Sequence, residues 1–277
     1  MRRSQQTFQL IWMFFTIICA VIAIFATFLV SCTRGTQKED SLPTLADTSA
    51  VTGDASGEAA ETPPPTDTPR AAVTTLAETV DQGESYLSTF MFLGDSTTYG
   101  MGYYNALPFT QIWTPSSGTM NLSNQSYTEV DYYNDDGSKD QLTIKDAVAR
   151  RQPEYLVITL GLNGISYMSE DEFKEEYIDL INTVKEASPG TKIICQSIFP
   201  VIDGQADSEI GNYKINPANE WVRAIAEETG TRYLSTCDVL KDETGNLRSD
   251  YCNGDGVHLS LAGCQAVLQY IRTHGYV

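Results

Sequence analysis

Two apolar runs without alternation, Tyr155-Leu156-Val157-Ile158-Thr159-Leu160 and Lys192-Ile193-Ile194-Cys195-Gln196-Ser197-Ile198, most constrain how this chain can fold. A strand with one wet face alternates apolar and polar side chains, whereas a continuous run must be covered on both faces, as parallel strands flanked by helices are. Ser88 to Leu93 is a third such segment. Between the runs, Ser169-Glu170-Asp171-Glu172 opens a helix in which Phe173, Tyr177, Leu180, Ile181 and Val184 share a face, and Pro189-Gly190 closes it. Asn216 to Glu228 is a second helical stretch, and Thr231 to Ser235 reads as an edge strand. Ser260 is the expected N-cap of a closing helix that turns Cys264, Val267, Leu268 and Ile271 inward. Short strands alternating with amphipathic helices define an α/β domain.

That texture starts only near Glu84. From Thr33 to about Gly83 the chain is Thr, Ala, Ser, Pro, Asp and Glu with few large apolar groups, including Glu61-Thr62-Pro63-Pro64-Pro65-Thr66-Asp67. Such a stretch buries too little surface to offset its ordering entropy and is expected to be a disordered tether with a reach on the order of 40 Å. Before it, Phe8 to Val30 is almost wholly apolar and would span roughly 34 Å as a helix, enough for a hydrocarbon core. Arg2 and Arg3 ahead of it favour an N-terminus in the cytoplasm and a domain outside. Leu29-Val30-Ser31-Cys32 resembles a bacterial lipobox, so lipidation at Cys32 stands beside a retained anchor. The expected organisation is an anchor or lipoprotein signal over 1–31, a linker over 32–84 and a catalytic domain over 85–277.

With 277 residues and a formal charge of −18, the chain lacks the basic surface that phosphate backbones or anionic head groups require. A nucleic-acid partner is therefore excluded, and any membrane contact is apolar. The segment Tyr127 to Ile144 interrupts the alternation, and its Asn134-Asp135-Asp136-Gly137 predicts the turn of a hairpin insertion. A calcium loop is the competing reading, but Tyr132 stands where its first carboxylate is needed.

Chemistry concentrates at the strand ends. Ser96, in Phe92-Leu93-Gly94-Asp95-Ser96-Thr97, follows the first strand, the end at which open α/β sheets bind ligands. A serine hydroxyl needs a base in hydrogen-bond reach and a third group to orient that base. The chain has two histidines. His274 beside Gly275 suits a helix C-terminus, whereas Asp255-Gly256-Val257-His258 sets a carboxylate three residues ahead of an imidazole in a turn. That turn could equally hold a local Asp beside a capping His. Asn163, in Gly161-Leu162-Asn163-Gly164 after the second run, offers an amide to a developing oxyanion, or is a plain Asn-Gly turn.

Together these blocks resemble the SGNH hydrolases, also called the GDSL esterase/lipase family: Gly94-Asp95-Ser96, then Gly161-Leu162-Asn163, then Asp255-x-x-His258, in that order over roughly Phe90 to Tyr270. The resemblance implies a three-layer, flavodoxin-like sandwich around a central parallel sheet. It implies Ser96 as nucleophile, His258 as general base and acid, and Asp255 as its orienting partner. It also implies an oxyanion hole of the Ser96 N–H, the Asn163 amide and a loop glycine, for which Gly118 in Ser116-Ser117-Gly118-Thr119 is the candidate. Thr97 stands where the family name has leucine and Gly164 where an Asp often follows, which bears on the subfamily. The G-x-S-x-G elbow of α/β-hydrolases is absent around Ser96.

The expected activity is extracytoplasmic serine esterase, hydrolysing acyl and in particular O-acetyl esters of cell-wall or surface carbohydrate. The alternatives are an O-acetyltransferase using the same acyl-serine, or a non-catalytic glycan-binding protein. No metal or cofactor is expected, since no cluster has ligand spacing. The catalytic domain is expected to be monomeric, with a small-molecule or glycan ester as its partner. Outside a membrane disulfides are permitted, and Cys237 with Cys252 is the expected bridge, Cys195 and Cys264 being core residues. Tyr103, Tyr104, Tyr132 and Tyr133 are sugar-stacking candidates or ordinary core tyrosines, and the loop Val201 to Tyr213 is expected to overhang the site.

Overall fold

The computed structural model describes residues 74–276. The apolar segment Phe8–Val30, Cys32 and most of the expected tether lie outside the described residues. Among those described, no helix is long and apolar enough to cross a membrane. In chain order the elements are α1 (Gly83–Leu87), β1 (Phe90–Gly94), α2 (Ser96–Tyr103), β2 (Ile112–Trp113), β3 (Glu129–Tyr133), β4 (Lys139–Thr143), α3 (Ile144–Arg151), β5 (Tyr155–Thr159), α4 (Glu170–Ala187), β6 (Lys192–Gln196), α5 (Asn212–Thr229), β7 (Arg232–Leu234), α6 (Cys237–Leu240) and α7 (Leu261–Arg272).

Five strands form one sheet in the order β2-β1-β5-β6-β7, every pairing parallel. Counted along the sheet's own strands this is the 2-1-3-4-5 winding of flavodoxin-like folds. The register runs Phe92 beside Val157 and Val157 beside Ile194, so neighbouring positions face opposite layers. Phe90, Phe92, Val157 and Ile194 pack with Met101 of α2, Leu240 of α6 and Val267 of α7. Met91, Leu93, Ile158 and Cys195 pack instead with Val148 of α3, Leu180 of α4 and Val222 of α5. Both faces are thus covered, which is why the central runs needed no polar alternation.

Helix limits follow local chemistry. Ser169 and Glu172 close a capping box at the start of α4, and the Ser260 side chain accepts the Gly263 N–H at the start of α7. Helix α5 begins one turn before the expected Asn216 and carries Pro217 inside it, at a cost of one backbone bond. The packed unit also starts earlier than Glu84: Leu76 is buried, its N–H donates to the Tyr233 carbonyl at 2.9 Å, and Gln82 N–H donates to that of Arg272.

The insertion is a hairpin, with β3 and β4 antiparallel from Glu129 opposite Thr143 to Tyr133 opposite Lys139. Its turn carboxylates have protein partners, Asp135 with Arg151 and Asp136 with the Ser138 N–H and hydroxyl. The expected Cys237–Cys252 bridge is corrected. All four cysteines of the described domain are free and buried. Cys237 begins α6 beside Ser235 and Asp238, whereas the Cys252 sulfur accepts the N–H groups of Gly254 and Gly256 at 3.4 and 3.2 Å. Each thiol is engaged within its own local turn, so the loop to His258 is shaped by a sulfur acceptor instead of a covalent staple.

Candidate active site

The site begins where β1 ends. Gly94 admits no side chain, because a Cβ there would lie 2.1 Å from Thr98 Oγ1 and 2.7 Å from the Thr159 carbonyl oxygen. That close approach lets α2 start immediately. Asp95 caps it, its Oδ1 accepting the Thr97 N–H at 3.0 Å and the Thr97 hydroxyl at 2.9 Å. Ser96 is the first helical residue, and its N–H donates to no acceptor among the described residues.

The loop closed by the antiparallel backbone pairing of Cys252 with Leu259 brings the other groups. His258 Nε2 lies 2.8 Å from Ser96 Oγ, and His258 Nδ1 lies 2.7 Å from Asp255 Oδ2. The second oxygen of Asp255 accepts the N–H groups of Val257 and His258, both at 2.8 Å. Partial burial opposes ionisation of Asp255, but the His258 and Val257 N–H groups and the imidazole outweigh it and hold the carboxyl at about 2. The group oriented towards the imidazole is therefore a carboxylate at any neutral pH. Residues 162 positions apart in the chain meet here because β1 lies inside the sheet, between β2 and β5, and the loop before α7 returns to the end of that strand.

Ser96 follows β1 and Asn163 follows β5, the two neighbours between which the strand order reverses. The Asn163 Nδ2 donates to Asp95 Oδ2 and to the Met120 carbonyl, both at 3.0 Å. Gly118 packs over the serine, the position of its missing Cβ falling 4.0 Å from Ser96 Cα and Cβ, with φ +70°. Its N–H donates to the Pro115 carbonyl at 2.8 Å. All five residues nominated from the sequence thus gather at one sheet edge. Of the three nominated donors the Ser96 N–H is open, and the other two are paired with neighbouring acceptors.

Asp95 is the residue that sequence reasoning passed over. It is 1% exposed, and burial pushes its carboxyl up to about 6 against the Thr97 bonds and the nearby His258. Its one signal is an acid one residue ahead of a helix, the N-cap pattern, and that helix has no apolar periodicity to reveal its start. His274 lies elsewhere, its ring stacked on Tyr270 with Nδ1 2.8 Å from the Tyr270 carbonyl oxygen at the end of α7. Among the nominated tyrosines, Tyr132 is buried against Trp113, Tyr133 stacks on Phe109 and Tyr103 pairs with Tyr104, at the helix end remote from Ser96. Exposed tyrosines stand in the connections that follow β2 and β5, Tyr127 and Tyr167, and in the first turn of α5, Tyr213, and the Tyr167 hydroxyl reaches Ser123 at 3.3 Å. The loop after β6 packs on the His258 loop, since the Ile202 N–H donates to the Gly256 carbonyl at 2.8 Å.

A parallel α/β sheet that sets a serine, an imidazole and a carboxylate in line at its switch point is an arrangement suited to acyl transfer, and the family of the chain makes it a carboxylic ester hydrolase. The chain belongs to the GDSL-like lipase/acylhydrolase family, whose model matches residues 92–266. No curated protein matches the chain. Among solved structures it is similar to a Streptococcus pneumonia protein described as a candidate platelet activating factor (19% identity, 69% of this chain and 90% of that one, TM-score 0.50). It is also similar to a DUF4886 family protein from Bacteroides uniformis (16% identity, 68% and 83%, TM-score 0.49) and to an acetylxylan esterase from Geobacillus stearothermophilus (16%, 73% and 98%, TM-score 0.46). At 19% identity the first of these likenesses speaks to fold alone.

Proposed function

We propose that this acylhydrolase is an extracytoplasmic serine esterase that removes small acyl groups, O-acetyl above all, from cell-wall or surface carbohydrate. The observation that carries the chemistry is the line Asp255–His258–Ser96, with successive contacts of 2.7 and 2.8 Å. His258 takes the proton of Ser96 Oγ as Oγ bonds to the ester carbonyl carbon, and the C=O pair moves onto oxygen. Collapse of that intermediate breaks the bond to the sugar oxygen, which receives the proton from His258. A water then repeats the sequence on the acyl-serine, releasing the carboxylic acid and restoring the serine hydroxyl. Asp255 holds the imidazole in the required tautomer and stabilises the imidazolium.

The oxyanion forms beside the open Ser96 N–H at the start of α2. Asn163 and Gly118 complete the hole by exchanging the Met120 and Pro115 carbonyls for the developing charge, a trade favoured because a charged acceptor binds donors more strongly than a neutral one. Carbohydrate is supported by the surface: five of the seven large exposed apolar residues described are tyrosines, faces that stack on sugar rings, and only Val80 and Leu261 are aliphatic. A long acyl chain finds little there to cover it. The extracytoplasmic setting rests on the apolar Phe8–Val30 segment with Arg2 and Arg3 before it.

The test is turnover of short p-nitrophenyl esters and of acetylated oligosaccharides by wild type and Ser96→Ala. Loss of about 10⁶ in kcat with unchanged circular dichroism supports the assignment; unchanged turnover refutes it. Preference for lipid esters over acetylated glycans refutes the carbohydrate reading alone.

A further inference from the structure

The hairpin β3–β4 is absent from the simple strand–helix alternation of this fold, and it is joined to the loop that carries Gly118. The Asp131 N–H donates to the Thr114 carbonyl at 2.8 Å, linking β3 to the end of β2. Two residues further along the loop, the Ser116 hydroxyl donates to Asp131 Oδ1 at 2.6 Å. Asp131 is 8% exposed, and its carboxylate is held from the hairpin side as well: Lys139 Nζ lies 3.0 Å from Oδ2, and the Gln141 amide donates to Oδ1 and to Ser116 Oγ. Beyond Gly118, Met120 and Leu122 are fully buried, and the Met120 carbonyl accepts from Asn163. Gly118 therefore sits between two fixed points, the Ser116–Asp131 bond on one side and the buried Met120 and Leu122 side chains on the other.

We propose that the β3–β4 hairpin is a buttress for the oxyanion loop, and that Asp131, acting through Ser116, is a positioning residue that holds Gly118 over Ser96. A carboxylate is suited to this because it has acceptor sites for both partners: Lys139 and Gln141 fix it to the hairpin while Oδ1 retains a place for the serine. Ser116 itself is exposed, and its hydroxyl donates to Asp131 and accepts from Gln141. Its role is the bond. Displacing an oxyanion donor by a fraction of an ångström costs rate without costing ground-state binding, because the charge it serves exists only in the transition state.

This inference rests on the proposed acyl-serine chemistry, and the experiment separates the two. Ser116→Ala, Ser116→Thr, Asp131→Asn and Arg150→Gln are compared with wild type on p-nitrophenyl acetate and for their rate of inactivation by a fluorophosphonate, whose phosphoryl oxygen takes the oxyanion's place. Ser116→Ala and Asp131→Asn are expected to lower kcat about tenfold with KM unchanged, and to slow inactivation by the same factor. Ser116→Thr, which keeps the hydroxyl, is expected within about twofold of wild type. Arg150→Gln removes a hairpin ion pair with Asp140 and serves as the stability control, lowering Tm with kcat unchanged. If Ser116→Ala keeps wild-type kcat and inactivation rate, or if Arg150→Gln loses kcat in proportion to its Tm, the buttress is overturned. A wild type without esterase activity or fluorophosphonate labelling overturns the enzyme reading first, and the buttress with it.

Discussion

Two aspartates flank the Ser96–His258 pair, and their surroundings pull them in opposite directions. Asp95, in the tight turn between β1 and α2, is enclosed and its carboxyl is pushed up to about 6. Asp255, in the loop before α7, is far more open, accepts two backbone N–H groups and a ring nitrogen, and is held at about 2. The difference separates two duties, of which the sequence pointed to that of Asp255 and passed over that of Asp95. In the proposed mechanism the exposed carboxylate is the stable charge partner of an imidazole that becomes cationic, whereas the enclosed one caps a helix and accepts from the Asn163 amide.

Asp255→Asn breaks the charged side of that contrast. The amide oxygen can still accept the two N–H groups, so the loop keeps its shape while the imidazole loses its charge partner; kcat is expected to fall about 10⁴-fold with little change in KM. Asn163→Ala removes the donor that Asp95 orients and is expected to cost 10² to 10³ in kcat, about 2.7–4 kcal/mol, as read by steady-state kinetics on a short acyl ester. Asp95→Asn sharpens the enclosed side: asparagine still caps α2, but an amide in place of the carboxylate no longer dictates the orientation of Asn163, and kcat is expected to fall about tenfold.

The same variant has a stability signature. The folded Asp95 carboxyl titrates near 6 and the unfolded one near the ordinary value of about 3.9. Between those values the folded state binds more protons, so this group's contribution to stability falls as pH rises from about 4 to about 6 and is level above that. Asp95→Asn lacks that contribution, so its Tm should decline less than wild type's across the window; parallel Tm curves would refute the raised value. The smallest effect concerns the loop itself. Since Cys237 and Cys252 are free, a phosphine reductant should leave both Tm and kcat of the domain unchanged, and a drop of several degrees would reinstate a disulfide.

The fold was legible wherever burial wrote itself into composition. The runs at Tyr155 and Lys192 could only be covered strands, the Phe173 to Val184 spacing could only be a helix face, and Asn134 to Gly137 marked a turn. Strand β2 was not legible because two residues, Ile112 and Trp113, carry no periodicity. Helix α2 was hidden for a related reason: Ser96 to Tyr103 has no apolar face pattern, and the helix depends on the Asp95 cap and the packing of Met101. In the site, Ser96, Asn163, Asp255 and His258 were found because each stands in a short block at a strand or loop end. The role of Asp95 and the Ser116–Asp131 bond were not, since they follow from where side chains point once loops have folded. The disulfide expectation failed on the same ground, as spacing in the chain says nothing about which way two thiols face.

The central claim is that Ser96 is the activated nucleophile of this domain. Treating the protein with a fluorophosphonate and mapping the adduct by mass spectrometry tests it most directly. The account predicts a single adduct on Ser96, formed at a rate that falls at least about 10³-fold in His258→Gln; no adduct, an adduct on another residue, or a rate indifferent to His258 would contradict it.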